Sequence, residues 1–310
     1  MKIEPVKNSR SCPKCGAGKQ AGASCLHCGI VFHKYTGNSR ISPNPPRPRM
    51  RQPDSSFPYK TLTRLSQLIL LISLLLLVLS NHYQGELPQV SFYDGVSLPN
   101  PVQRETAAEP FEIVSNDIVY TINPVQDYQL HGVVVSYHDS DSWWDIYHQR
   151  SWQDFINIKD ICVIWGDNLT SGVYQEMAFK NSTWTCWASW PDRDTGRRFS
   201  MQQLSNNHLL VGDPQIREIA NRVEIGDQIR LEGLLASYSH SNGKFNRGTS
   251  TSRTDTGNGA CETIFVNHFE IVKRANPGWR KINSLAWWLG AISLICVIIM
   301  VIKAPVRINE

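Results

Sequence analysis

The residues of this chain best suited to chemistry begin with two C-x2-C-G knuckles, Cys12-Pro13-Lys14-Cys15-Gly16 and Cys25-Leu26-His27-Cys28-Gly29, with nine residues between them. Two thiols spaced this way bend around one metal ion, and the following glycine accepts the positive φ that closes the turn and points backbone N–H groups at sulfur. Four thiolates at Cys12, Cys15, Cys25 and Cys28 suit tetrahedral zinc. Iron in a rubredoxin-like site comes second, and disulfides come last because a reducing cytoplasm disfavours them. A sphere closed by four protein ligands leaves no position for an activated water, so the metal is structural, a staple for a segment too small to fold alone. With the cysteine set complete, His27 and His33 are expected to be bystanders.

Two further clusters have the right residue types. His138-Asp139-Ser140-Asp141, followed by Trp143, Trp144, Asp145 and His148, offers carboxylates and imidazoles for metal or acid–base work. The catalytic candidates there are His138, Asp139, Asp141 and His148, weighed against a solvated charged loop. Residues 248–262, GTSTSRTDTGNGACE, carry Arg253, Asp255 and Glu262 as ligand-binding candidates, on a flexible backbone able either to line a binding site or to bring Arg253 onto Asp255. Long Gly/Ser/Thr-rich loops often carry function, although a plain connection between two strands would read the same way. Cys162, Cys186 and Cys261 allow one disulfide and one leftover thiol in an oxidising compartment. The pairing is expected to involve Cys261. A nucleophile built on the leftover thiol has several histidines as candidate bases, and nothing in the sequence sets their distances.

The elements that must position these groups follow from hydropathy and charge. At 310 residues the chain has room for about two domains. Its 41% hydrophobic and 19% charged residues exclude a wholly disordered protein, and a mean hydropathy of -0.29 excludes a many-pass carrier. Leu65 to Ser80 and Leu285 to Ile302 are uncharged apolar runs, the second opening near the interfacial pair Trp287 and Trp288. Arg47, Arg49, Arg51, Lys60 and Arg64 precede the first run, and no Lys or Arg occupies 81–100, which places the N-terminus in the cytoplasm. The flanks of the second run argue weakly the other way, and the first is taken to dominate. Residues 1–64 hold 12 basic and two acidic residues, whereas 81–284 hold 17 basic and 24 acidic. The overall charge of +4 therefore describes neither side of the membrane.

Within the outer segment, residues 128–137, 158–165, 183–189, 228–238 and 263–272 read as strands. Asp213-Pro214 starts one short helix between the third and the fourth. That order is expected of an OB-fold-like five-stranded barrel. The segments VEIGDQIRLEGL at 223–234 and FVNHFEIV at 265–272 resemble the fourth and fifth strands of many bacterial OB-like domains, a pattern-level resemblance over residues 128–273. Residues 25–35, CLHCGIVFHKY, resemble the second half of the zinc ribbon that opens many bacterial membrane proteins. This second resemblance covers residues 12–35. It implies a bacterial source and a zinc-binding head, and no activity, because such ribbons precede unrelated domains.

The expected organisation is a mainly β protein with a cytoplasmic zinc ribbon (1–35), a Pro/Arg-rich tether (36–61) and a first transmembrane helix (62–80). A linker (81–117) and a periplasmic OB-like domain (118–284) follow, then a second transmembrane helix (285–302) and a cytoplasmic tail (303–310). The expected function is binding or scaffolding in the bacterial inner membrane, without catalysis. Zinc is the cofactor, and the partners are the membrane and an envelope or cytoplasmic protein. One alternative is an envelope hydrolase using the His138 to His148 cluster. Another is sensing of nucleic acid or anionic lipid by residues 1–64. Nucleic acid is not expected on the large domain, whose net charge is negative and whose tryptophans suit packing better than base stacking.

Overall fold

The computed structural model of the protein describes residues 11–18, 22–35, 58–93, 98–142, 145, 147–242, 245–255 and 261–303. The chain forms two compact units, residues 1–61 and 62–310. In the first, two tight turns carry the four cysteines, Ser24 bridges Val31, and a single 3-10 turn spans Phe32–Lys34. Most of the expected tether, residues 36–57, lies outside the described residues.

Two long helices flank the second unit, α1 (Tyr59–Gln84), which begins three residues ahead of it, and α5 (Pro277–Lys303), both long and apolar enough to cross a membrane. At ~1.5 Å per residue each is roughly 40 Å long, so both continue past the apolar runs read from the sequence. Small residues make the seam between them: Asn283 Nδ2 donates to Ser80 Oγ (3.0 Å), and Gly290 faces Ser73. Ser73, Ser80, Ala286, Gly290 and Ser293 are the buried positions, while leucines and isoleucines point outward. This is the pattern of helices that pack within lipid.

Between the helices lies a mainly β domain, with ten strands among the described residues: β1 (Val102–Glu105), β2 (Phe111–Ser115), β3 (Ile118–His138), β4 (Asn157–Ile164), β5 (Ala178–Ser182), β6 (Thr185–Ser189), β7 (Leu204–Leu210), β8 (Gln228–His240), β9 (Asn246–Arg247) and β10 (Glu262–Lys273). Short α-helices among the same residues are α2 (Asp167–Thr170), α3 (Arg193–Arg198) and α4 (Pro214–Asn221). β3 pairs with β4, β4 with β7, β7 with β10, β10 with β8, and β8 again with β3. Only β7–β10 is parallel among these five pairings. The 21-residue β3 serves two neighbours, pairing with β8 along Tyr120–Val133 and with β4 along Val133–His138. Bulges at Pro124/Gln126 and Val134/Ser136 bend it between them. Apolar side chains, Val133, Ile161, Val163, Leu231, Leu235 and Ile264 among them, fill the core.

Two glycines sit where strands approach too closely for a side chain. A Cβ at Gly132 would lie 2.2 Å from Val163 Cγ1, and one at Gly233 would lie 2.2 Å from the carbonyl oxygen of Phe265. Backbone cannot yield as a side-chain tip can, so Gly233→Ala is expected to cost about 3 kcal/mol. A chemical-denaturation midpoint unmoved by this substitution would contradict that packing.

The helix expected after Asp213 is present as α4. Asp213 Oδ1 caps the Gln215 N–H at 2.7 Å and Pro214 takes the first turn. Two readings of the sequence need correction. Residues 81–117 contain more than a linker: β1 pairs with β3, and β2 turns directly into β3 through Asn116 and Asp117, both at positive φ. Two successive left-handed residues make the tight turn that suits strand twist. The expected third strand, 183–189, belongs instead to a separate two-stranded hairpin of β5 and β6. Its place next to β4 is taken by β7, LSNNHLL, whose four central polar residues hide its strand character.

Candidate functional site

In the N-terminal unit, Gly16 and Gly29 both adopt φ of 74°, and their N–H groups donate to the Cys12 and Cys25 carbonyls. Cys12 Sγ lies 3.5 Å from Cys28 Sγ, and Cys15 Sγ 3.7 Å from Cys25 Sγ; all four sulfurs fall within 4.8 Å of one another. A tetrahedron with metal–sulfur bonds of ~2.3 Å has edges of about 3.8 Å, so the four thiols can hold a metal ion. His27 and His33 are not members of this group.

The 138–148 loop divides. His138 Nε2 and His148 Nδ1 both meet Asp145 Oδ2 at 2.7 Å, and the three groups can hold a metal ion or share a proton. Burial works to raise the Asp145 pKa, but the His138 bond and the His148 contacts outweigh it and hold the carboxyl below its usual value. Asp139 and Asp141 point elsewhere, to Lys159 Nζ (2.9 Å) and Arg217 Nη1 (2.7 Å). The four catalytic candidates therefore do not converge; only His138 and His148 do, through Asp145. Trp143 and Trp144 lie outside the described residues.

Cross-strand register then builds a polar row that sequence reading missed. His138 on β3 pairs with Asp160 on β4, Asp160 with His208 on β7, and His208 with Thr263 on β10. Side chains two apart along a strand share a face. Cys162 thus lies beside Asp160, Asn206 beside His208, and Cys261 precedes Thr263 by two. Asp160 and His208 are fully buried and meet at 2.6 Å through Oδ1 and Nδ1. Asp160 Oδ2 accepts the Trp184 N–H at 3.1 Å. Burial alone would raise the Asp160 pKa, yet the charge and hydrogen bond of His208 keep it low. For His208 burial acts downward, while Asp160 and the Cys261 thiol prevail and push it up to about 9. Arg247 Nη2 lies 2.9 Å from Nε2, a neighbouring cation that works against this rise without cancelling it.

The β5–β6 hairpin covers this row. The disulfide is Cys162–Cys186, which corrects the expectation of a bond to Cys261 and leaves that thiol free. The bond ties β6 to β4 across the polar face, and Trp184 at the hairpin turn (φ 69°) lies over His208, with Arg247 stacked 3.5 Å above its ring. Cys261 Sγ donates to the Trp184 carbonyl at 3.4 Å and accepts from Asn206 Nδ2 at 3.6 Å. Two polar residues with i, i+2 spacing in each of IKDIC and SNNH were the available signal. It was obscured because adjacent polar residues broke the strand alternation.

In the 248–262 loop Arg253 meets Glu262 at 2.6 Å, together with Tyr128 and Gln103, whereas Asp255 accepts from Ser250 at 2.5 Å. Of the two arrangements open to Arg253, the contact with Asp255 is not made: Arg253 pairs with Glu262, because β10 begins at Glu262 and carries it inward. Burial raises the Glu262 pKa to about 7, more than Arg253 lowers it. An acid whose folded pKa lies above its unfolded value is disfavoured as it ionises, so this contribution is intact below about pH 4.5 and is lost as pH rises to about 7. Between those limits the wild type is expected to lose roughly 3 kcal/mol relative to Glu262→Gln. Parallel denaturation series at pH 4.5 and 7.5 measure the difference, and parallel curves for both proteins would count against it.

No protein-family model, curated protein or solved structure matches the chain.

Proposed function

We propose that the chain is a two-span protein of a bacterial inner membrane, with a structural zinc ribbon on the cytoplasmic side and an OB-fold-like five-stranded barrel on the periplasmic side that serves as a binding or scaffold module. The cyclic pairing of β3, β4, β7, β10 and β8, its single parallel pair and the position of α4 between β7 and β8 support the OB reading. The basic residues ahead of α1 support the orientation. The near-ideal sulfur spacing, set beside all-thiolate ligation, supports zinc.

The observation that carries the scaffold reading is the clamp between the domain and its two long helices. Arg280 in the first turn of α5 makes a paired contact with buried Asp227, with N–O distances of 2.8 and 3.0 Å. Asn276 donates to the Gln84 and Glu86 carbonyls at 3.2 and 2.7 Å, and Tyr83 stacks on Trp279 at 4.7 Å. Such a mount holds the domain at a fixed height above the helix ends, which suits presenting a surface to a partner. The hydrolase alternative loses support because Asp139 and Asp141 are engaged by cations.

Trp187 and Trp190, 57% and 46% exposed on and beside β6, are the natural anchors for a protein partner. Purification of the full chain in mild detergent at native expression should recover a stoichiometric envelope protein that is lost from the Trp187→Ala/Trp190→Ala variant. Recovery of the chain alone would overturn the scaffold reading.

A further inference from the structure

We propose that His138, Asp145 and His148 form a second metal site, in the β domain, that takes a divalent ion of the zinc class through His138 Nε2, Asp145 Oδ2 and His148 Nδ1. The inference goes beyond the scaffold reading and does not depend on it.

The three donors converge on one point. Asp145 Oδ2 lies 2.7 Å from both imidazole nitrogens, and all three atoms fall within 4.8 Å of one another. The other carboxylate oxygen, Oδ1, accepts the His148 N–H at 3.1 Å, which fixes the group with Oδ2 turned toward the two rings. His138 ends β3, whereas His148 lies in the single helical turn Tyr147–Ser151, so the loop closes on itself to bring the rings together. The His148 side chain is fully buried and that of Asp145 nearly so, while His138 is 27% exposed and leaves a way in from solvent. Trp152 at 5.1 Å and Trp184 at 4.6 Å pack on the His148 ring and hold its plane.

Two nitrogens and one oxygen suit zinc and its late first-row neighbours, whereas calcium and magnesium call for more oxygen ligands than this set supplies. Metal bonds of ~2.0–2.1 Å in a tetrahedron set the donors about 3.3 Å apart, so each 2.7 Å contact opens by about 0.6 Å on binding, a shift the partly exposed His138 can make. Three protein ligands leave one position to water or to a group from a partner.

A second observation lies on the other side of the His148 ring. Asn157 is buried, and its Oδ1 meets no donor among the described residues; its Nδ2 lies 3.4 Å from His148 Nε2 and 3.3 Å from Asp160 Oδ1. An ion on Nδ1 places the ring proton on Nε2, and a half-turn of the amide brings Oδ1 round to accept it, the outer contact that orients a metal-bound histidine. Asp160 gives up one long contact and keeps its 2.6 Å bond to His208.

The test uses the untagged full chain in detergent, with zinc and cobalt(II) as probes. After treatment with a weak chelator, zinc titration should fill one equivalent beyond the one held by the four N-terminal thiols. Asn157→Leu should weaken this further equivalent ~10–100-fold, and His138→Ala or His148→Gln more than that, with the thiol-bound equivalent retained. Cys25→Ala should do the reverse. Cobalt in the further site should show nitrogen and oxygen ligation without the sulfur-to-cobalt band of the thiol site, a readout on the wild type that needs no variant to fold. A wild-type chain that binds a single equivalent, lost with Cys25→Ala, overturns the proposal and leaves the triad a hydrogen-bonded brace. A further equivalent with sulfur ligation, or one unchanged in both histidine variants, overturns the assignment of the ligands.

Discussion

Asp227→Ala is expected to destabilise the β domain by about 3–5 kcal/mol, the cost of leaving one member of a buried ion pair without its partner. Asp227 is fully buried and accepts four hydrogen bonds: two from Arg280, one from the Ala275 N–H at 2.8 Å and one from the Glu224 N–H at 3.1 Å. Its removal strands a guanidinium whose side chain is only 16% exposed and frees the turn that leads into α5. Arg280→Lys should recover little, because an ammonium cannot reproduce a paired contact with one carboxylate. Denaturant titration of the detergent-solubilised chain, followed by tryptophan fluorescence, measures the effect. A midpoint close to wild type would show that the domain does not depend on this clamp, and would remove the main support for a rigidly mounted scaffold.

Loss of a single thiol from the N-terminal quartet should have the other large effect. Zinc binding at such sites is worth roughly 10–16 kcal/mol at neutral pH and is inseparable from folding. Cys25→Ala is therefore expected to abolish one equivalent of bound zinc per chain and to expose residues 11–35 to protease, while Cys296→Ala retains both metal and protection. Elemental analysis of the purified variants reads the first result and limited proteolysis the second. Iron in place of zinc, or a metal content unaffected by Cys25→Ala, would contradict the assignment.

Much of the architecture is legible in the sequence because it depends on local patterns. An uncharged apolar run announces itself, as Leu65 to Ser80 does, and the helices that contain the two runs, α1 and α5, are long and apolar enough to cross a membrane. Asp213-Pro214 specified the start of α4 because capping is a property of adjacent residues. The C-x2-C-G knuckles placed four thiols together for the same reason. The 128–137, 158–165, 228–238 and 263–272 segments all fall on strands of the large sheet. The strand that failed, β7, carries Ser205, Asn206, Asn207 and His208 in succession, and its burial is tertiary: Asp160 and the hairpin supply the partners that make those polar groups tolerable inside.

The same distinction divides the sites. Residue type alone marked the groups able to take part: the four knuckle cysteines, the histidines and carboxylates of 138–148, and Arg253 with Glu262. Sequence proximity settled the knuckles, since their geometry is set within five residues. Tertiary structure alone decided the rest. Register between β4, β7 and β10 brought Asp160, His208 and Cys261 together from positions 48 and 53 residues apart, and the Cys162–Cys186 bond chose which thiol stayed free. The 138–148 loop lost Asp139 and Asp141 to cations on β4 and α4, Lys159 and Arg217, that nothing in the loop foreshadows. Pairing across a sheet depends on how whole strands align, a long-range choice made by the packing of the domain and not by the residues that end up side by side.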